Sequence, residues 1–101
     1  MNIVYPTTAS NTPSIQSSAT ALADSAGRRI SWSIQNLGTN ALFVRLGDSA
    51  STTVFHFVLK GGTGNDDGSG GVVSQENGVI YTGIISVAGT SPRYTVLEQA
   101  P

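Results

Sequence analysis

The stretch Arg28-Arg29-Ile30-Ser31-Trp32-Ser33-Ile34-Gln35-Asn36 alternates apolar and polar side chains at nearly every step. Ile30, Trp32 and Ile34 fall on one face; Arg29, Ser31, Ser33 and Gln35 fall on the other. Successive side chains of a strand point to opposite faces, so this pattern predicts a strand with one buried and one solvated side. Outward from it the same period recurs. Residues 37–40 (Leu-Gly-Thr-Asn) read as a turn, and residues 41–46 as a second strand with Leu42, Val44 and Leu46 opposed to Phe43 and Arg45. Upstream, residues 15–23 read as a weak strand, ended by a turn at Asp24-Ser25-Ala26-Gly27.

Downstream, residues 47–50 are a loop. Residues 52–60 read as a strand with Phe55, Phe57 and Leu59 on one face and Val54, His56 and Val58 on the other. Being apolar on both sides, it is expected to be central in its sheet or covered by a partner. Residues 61–71 (GGTGNDDGSGG) read as the longest flexible loop, residues 72–74 as a short strand and residues 75–78 as an Asn-Gly turn. Residues 79–87 follow as a strand with Gly83 at a bulge or close approach, then a turn over 88–92 and a last strand over 93–98. No segment keeps a helical period over three turns. Seven strands with turn signals every ~8–12 residues predict an all-β fold, a single antiparallel β-sandwich with a barrel-like alternative. The sandwich spans residues 15–101, preceded by an extended N-terminal arm over residues 1–14. One internal echo accompanies it: residues 34–46 and 85–97 share a layout, with Gly38-Thr39 matching Gly89-Thr90 and Phe43 matching Tyr94. Two hairpins with the same turn chemistry account for the echo; a duplicated half-sandwich is the sharper alternative.

Composition narrows the function. The chain has 101 residues, no Cys and one His, which removes disulfides, thiolate metal sites and most His-relay chemistry. Five Lys and Arg against six Asp and Glu give a net charge of −1, without the basic face that a nucleic-acid binder needs. Charged residues are only 11%, while Ser and Thr supply 24 positions and Gly 12, a surface suited to packing against partners. No charged start leads into an apolar run and no window approaches the length of a membrane span, so neither a signal peptide nor a membrane segment is expected.

The motifs that carry chemistry fail one by one. The 61–71 loop has no Lys after its glycines, and Asp67 stands where a dinucleotide fingerprint needs its third Gly. Residues 61–66 match the front of a calcium nonapeptide, but in one copy and with Gly68 at the aliphatic position. Asp66 and Asp67 could supply two hard oxygen ligands to a surface cation, but a solvated or partner-facing loop is the simpler account. Gly47-Asp48-Ser49 lacks the scaffold and the neighbouring His of a lipolytic nucleophile. His56, between Phe55 and Phe57, reads as structural. Arg28-Arg29 is too short for a polybasic patch, and Trp32 reads as core. No catalytic, cofactor or metal residue is assigned, and an enzyme is not expected. Ile3, Val4 and Tyr5 of the arm, together with Phe43, are the expected partner contacts, because exposed aromatics favour interface hot spots.

The runs Arg29–Asn40 and Leu42–Gly47, with residues 81–96 (YTGIISVAGTSPRYTV), resemble the small β-sandwich decoration, or cement, proteins of tailed bacteriophages. The resemblance covers residues 27–98 and lies in turn grammar, so it transfers no binding residue. It implies a structural virion protein made in the host cytoplasm and placed on the outer capsid surface. Its partner would be the major capsid protein, bound across neighbouring copies, and it would form a homo-oligomer, a dimer or trimer. A tail or baseplate adaptor and a carbohydrate- or cell-surface-binding module are the alternatives.

Overall fold

A computed structural model of the chain describes residues 9, 11, 13–75 and 80–100. Seven strands follow in order: β1 Thr20–Leu22, β2 Ser31–Asn36, β3 Leu42–Leu46, β4 Phe57–Leu59, β5 Val72–Ser74, β6 Ile85–Ala88 and β7 Tyr94–Gln99. They form two antiparallel sheets, β1-β6-β3-β4 and β5-β2-β7. The expected β-sandwich is therefore the fold, and the sheets do not close into the barrel-like alternative.

The centre of the sandwich is built by two crossings. The 37–41 connection carries the chain from β2 in the three-stranded sheet to β3 in the four-stranded one. The 89–93 connection carries it back from β6 to β7. As a result β2 pairs β7, and β3 pairs β6. The two echoing segments are thus not hairpins, since neither strand pairs with its own neighbour in sequence. A Gly-Thr turn serves a crossing between sheets as well as a hairpin, which is why the sequence pattern did not separate them. The two turns touch: Asn40 Nδ2 donates to the Thr90 carbonyl at 3.1 Å, and Leu37 N–H donates to the Arg93 carbonyl at 2.8 Å.

Between the sheets lie Trp32 and Ile34 from β2, Leu42 and Val44 from β3, and Ile85 and Val87 from β6. Leu22, Leu59, Val73 and Tyr94 complete the cluster. Full burial of each aliphatic side chain contributes about 1.5–3 kcal/mol. The Tyr94 hydroxyl escapes isolation by donating to the Ser18 carbonyl at 2.6 Å; burial of the ring holds the phenol above its ordinary pKa. Asn36 continues the inward phase of β2 and is buried. Its amide donates to the carbonyls of Asn40 (2.9 Å) and Leu59 (3.1 Å), and its Oδ1 accepts from Gly38 N–H (2.9 Å). One polar side chain therefore ties β2 to β4 and to the crossing turn.

Four expectations change. Residues 15–23 are not one strand, because they switch sheets. Gln16 bridges Tyr94 of the three-stranded sheet, whereas Thr20–Leu22 pairs with β6 of the other. Residues 52–60 form a strand only at Phe57–Leu59, and β4 is a sheet edge, not a central strand. The Ser and Thr before it fold on themselves: Ser51 and Val54 exchange backbone hydrogen bonds, and Ser51 Oγ accepts from Thr53 and Val54 N–H. Such local bonds compete with a ladder. Residues 80–84 leave the expected strand because their carbonyls turn toward Arg29 and Ser25. Arg29 itself, placed on the solvated face by its phase, is buried.

The 61–71 segment is anchored, not loose. Gly62 N–H donates to the Gly38 carbonyl, Asp66 N–H to the Leu37 carbonyl and Gly71 N–H to the Lys60 carbonyl, each at 2.8 Å. A Cβ at Gly70 would stand 2.1 Å from the Asn36 carbonyl oxygen, so glycine is required there by close approach.

Candidate interaction surface

The outer face of the four-stranded sheet carries the one expected contact residue that the structure describes. Phe43 in β3 lies across from Val58 of β4 on one side and Ala88 of β6 on the other. Phe55, just before β4, packs its ring edge on Phe43, with centroids 5.0 Å apart and planes at 61°. That geometry is worth about 0.5–1.5 kcal/mol beyond area burial. Phe43 is half-buried because Phe55 leans on it. Phe55 itself remains 39% exposed, and Val54 and Val58 are 44% and 48% exposed. Phe43, Phe55 and Val58 make an apolar surface on the edge half of the sheet, and the exposed Val54 precedes Phe55 in the chain. Ile3, Val4 and Tyr5, the other expected contacts, lie outside the described residues.

Phe55 reaches this face because the chain leaves the strand pattern at His56. The parity reading had set it against Val58. His56 N–H donates to the Val44 carbonyl at 2.7 Å, while its Nδ1 accepts from Leu46 N–H at 3.0 Å. The imidazole thus stands in for a backbone carbonyl at the end of the β3–β4 ladder, and releases the preceding residues to fold over β3. Ser86 Oγ holds the other side of that fold, accepting from Ala50 N–H (2.9 Å) and donating to the Gly47 carbonyl (2.6 Å). A Phe-x-Phe next to a lone His was visible in the sequence; the strand exit was not.

Two cations flank the apolar surface. Arg45 follows Phe43 at the same parity in β3, and Lys60 follows Val58 just past the end of β4. The acidic pair of the 61–71 loop is engaged internally. The Arg93 guanidinium binds the Asp66 carboxylate through two nitrogens and holds its pKa below the usual range. Asp67 accepts from Ser69 Oγ, Ser69 N–H and Thr63 Oγ1, which lowers its pKa to about 2. Asp67 thus organises the loop from within, while Asp66 ties it to the 89–93 crossing through Arg93.

The arm's described root is docked. The Asn11 side-chain amide donates to the Val96 carbonyl at 2.9 Å and accepts from Glu98 N–H at 2.8 Å. Together with the Gln16–Tyr94 bridge it covers the outer edge of β7, a strand edge that would otherwise be open to pairing.

No protein-family model matches the chain, and neither a curated protein nor a solved structure does.

Proposed function

We propose that this chain is a structural protein of a bacteriophage virion that decorates the capsid and stabilises it by binding across neighbouring major capsid proteins. The observation that carries the reading is the apolar surface of Phe43, Phe55 and Val58 on the edge half of one sheet. Aromatic side chains at the centre of a water-excluding patch are the usual carriers of interface energy. Arg45 and Lys60 beside it fit an acidic rim on the capsid protein. The resemblance to cement proteins over residues 27–98 supports the choice of partner. A protein that binds the assembled lattice and not its free subunits stabilises the lattice by mass action.

The test is co-sedimentation of purified protein with capsids lacking it. Wild-type protein pellets with the capsids, and Val58→Asp, which puts a charge into an exposed edge position, stays in the supernatant with an unchanged melting temperature. Equal pelleting of the variant would move the contact elsewhere on the protein. Failure of both to pellet would remove the capsid as the partner.

A further inference from the structure

Where the two crossing turns meet, segments 15–17, 38–40, 65 and 91–93 enclose a groove of about 590 Å³, well within the size of small-ligand sites. Its walls are tied together before any ligand arrives. Gln16 and Tyr94 exchange backbone bonds at 2.7 and 3.0 Å, Asn40 holds Thr90, and the Asp66–Arg93 pair clamps the 61–71 loop against the last crossing. Asp66 and Ser91, at the rim, have φ of 60° and 46°, two of the four non-glycine residues with positive φ among those described. Left-handed backbone at such residues is held against its own preference and concentrates at ligand sites.

The chemistry of the lining is neutral and hydroxyl-matched. Arg93 is the one charged lining residue, and Asp66 already neutralises it. An anion therefore meets no uncompensated positive charge. The hydroxyls of Ser17, Thr39 and Ser91 and the Asn65 amide hold no hydrogen bond to any described residue. Each offers both a donor and an acceptor, as a sugar hydroxyl does. The Arg93–Asp66 pair, more than a third exposed on both partners, sets a donor beside an acceptor in the way that neighbouring hydroxyls require. Ile15, half exposed, and Pro92 supply apolar surface for the C–H face of a ring.

We propose that this groove binds a neutral oligosaccharide. The inference is independent of the capsid reading, because it concerns the isolated chain. It is tested by titrating the full-length, isotope-labelled protein with cellohexaose, chitohexaose and maltohexaose at millimolar concentration and following backbone amide resonances. The expected result is saturable shifts with at least one sugar, confined to residues 15–17, 38–40, 65 and 91–93. Asn65→Ala with Thr39→Val should weaken that binding about tenfold or more, on the scale of one or two lost hydrogen bonds. Ser17→Trp, which fills the groove from an exposed position, should abolish it; both variants should keep the wild-type melting temperature. No saturable shift with any of the three sugars overturns the proposal. So do shifts that map to Phe43 and Phe55, affinities unchanged in both variants, or shifts given by a Ser/Thr-rich peptide and by none of the sugars.

Discussion

The guanidinium of Arg29 lies wholly inside the protein, with its Nε 2.9 Å from a carboxylate oxygen of Glu98 on β7. Its remaining nitrogens donate to the carbonyls of Tyr81 and Gly83 (both 2.9 Å) and Ala23 (2.8 Å). One side chain thus binds the segment after β1, the irregular approach to β6 and the last strand. A charge this buried survives only because four of the five N–H groups of its fork find acceptors, one of them a carboxylate.

Arg29→Ala leaves Glu98 and three carbonyls without their partner. The expected loss is about 3–5 kcal/mol. At ~4–8 °C per kcal/mol for a domain of this size, the melting temperature should fall by more than about 12 °C. Arg29→Lys keeps the charge without the planar fork and should fall in between. A loss below about 4 °C for Arg29→Ala would contradict the role assigned to the residue.

Asn36 gives a sharper ranking. Asn36→Ala strands the Gly38 N–H and removes the donor to the carbonyls of Asn40, Leu59 and Lys60, and should cost about 1–3 kcal/mol. Asn36→Asp keeps the shape but points a carboxylate at the carbonyls of Asn40 and Leu59, where only a donor fits. Chemical denaturation should find Asp worse than Ala; the reverse order would mean that the amide is not the tie between β2 and β4.

Asp67 predicts an acid limit for the 61–71 loop. Its folded pKa, about 2, lies below the usual 3.8, so the ionised form favours the folded loop. That contribution is complete above the usual carboxylate value and is lost as the pH falls through about 2. Carboxyl resonances followed by NMR should place the Asp67 midpoint near 2, and Ser69→Ala should raise it. A midpoint near 3.8 in the wild type would show that the Ser69 and Thr63 bonds do not hold in solution.

Gly70→Ala tests how tightly that loop is seated. The new methyl would meet the Asn36 carbonyl at 2.1 Å, so the loop must shift or the strand must give. Overpacking of this kind costs about 1–3 kcal/mol. Gly68→Ala, with open space but a φ of 81°, should cost less, through backbone strain alone. Equal costs at the two positions would argue against the close approach.

Deleting residues 1–8 removes Ile3, Val4 and Tyr5 and leaves Asn11 in place on β7. If these three anchor the protein to the capsid, the truncated chain should keep its melting temperature and lose capsid affinity. Undiminished binding would leave the sheet face as the whole contact.

The alternation of β2 and β3 was legible in the sequence, since each has one inward phase and one outward phase. Trp32, Ile34, Leu42 and Val44 are buried as their parity requires. What parity cannot carry is the sheet to which a strand belongs. The Gly38-Thr39 and Gly89-Thr90 turns look like hairpin turns and instead cross the sandwich. Arg29 was misplaced because its position lies just before β2, where a long side chain folds back past the strand end. The apolar surface was half visible: Phe43 follows from phase, but Phe55 joins it only because the His56 ring ends the ladder with Leu46 N–H. The polar groove was not legible, since its walls come from four segments far apart in the chain.

The central claim is best tested by counting. Quantitative mass spectrometry of purified particles should find this chain at a copy number equal to that of the major capsid protein, or at a simple lattice fraction of it. A few copies per particle would place the protein in the tail, and its absence from particles would contradict the capsid account altogether.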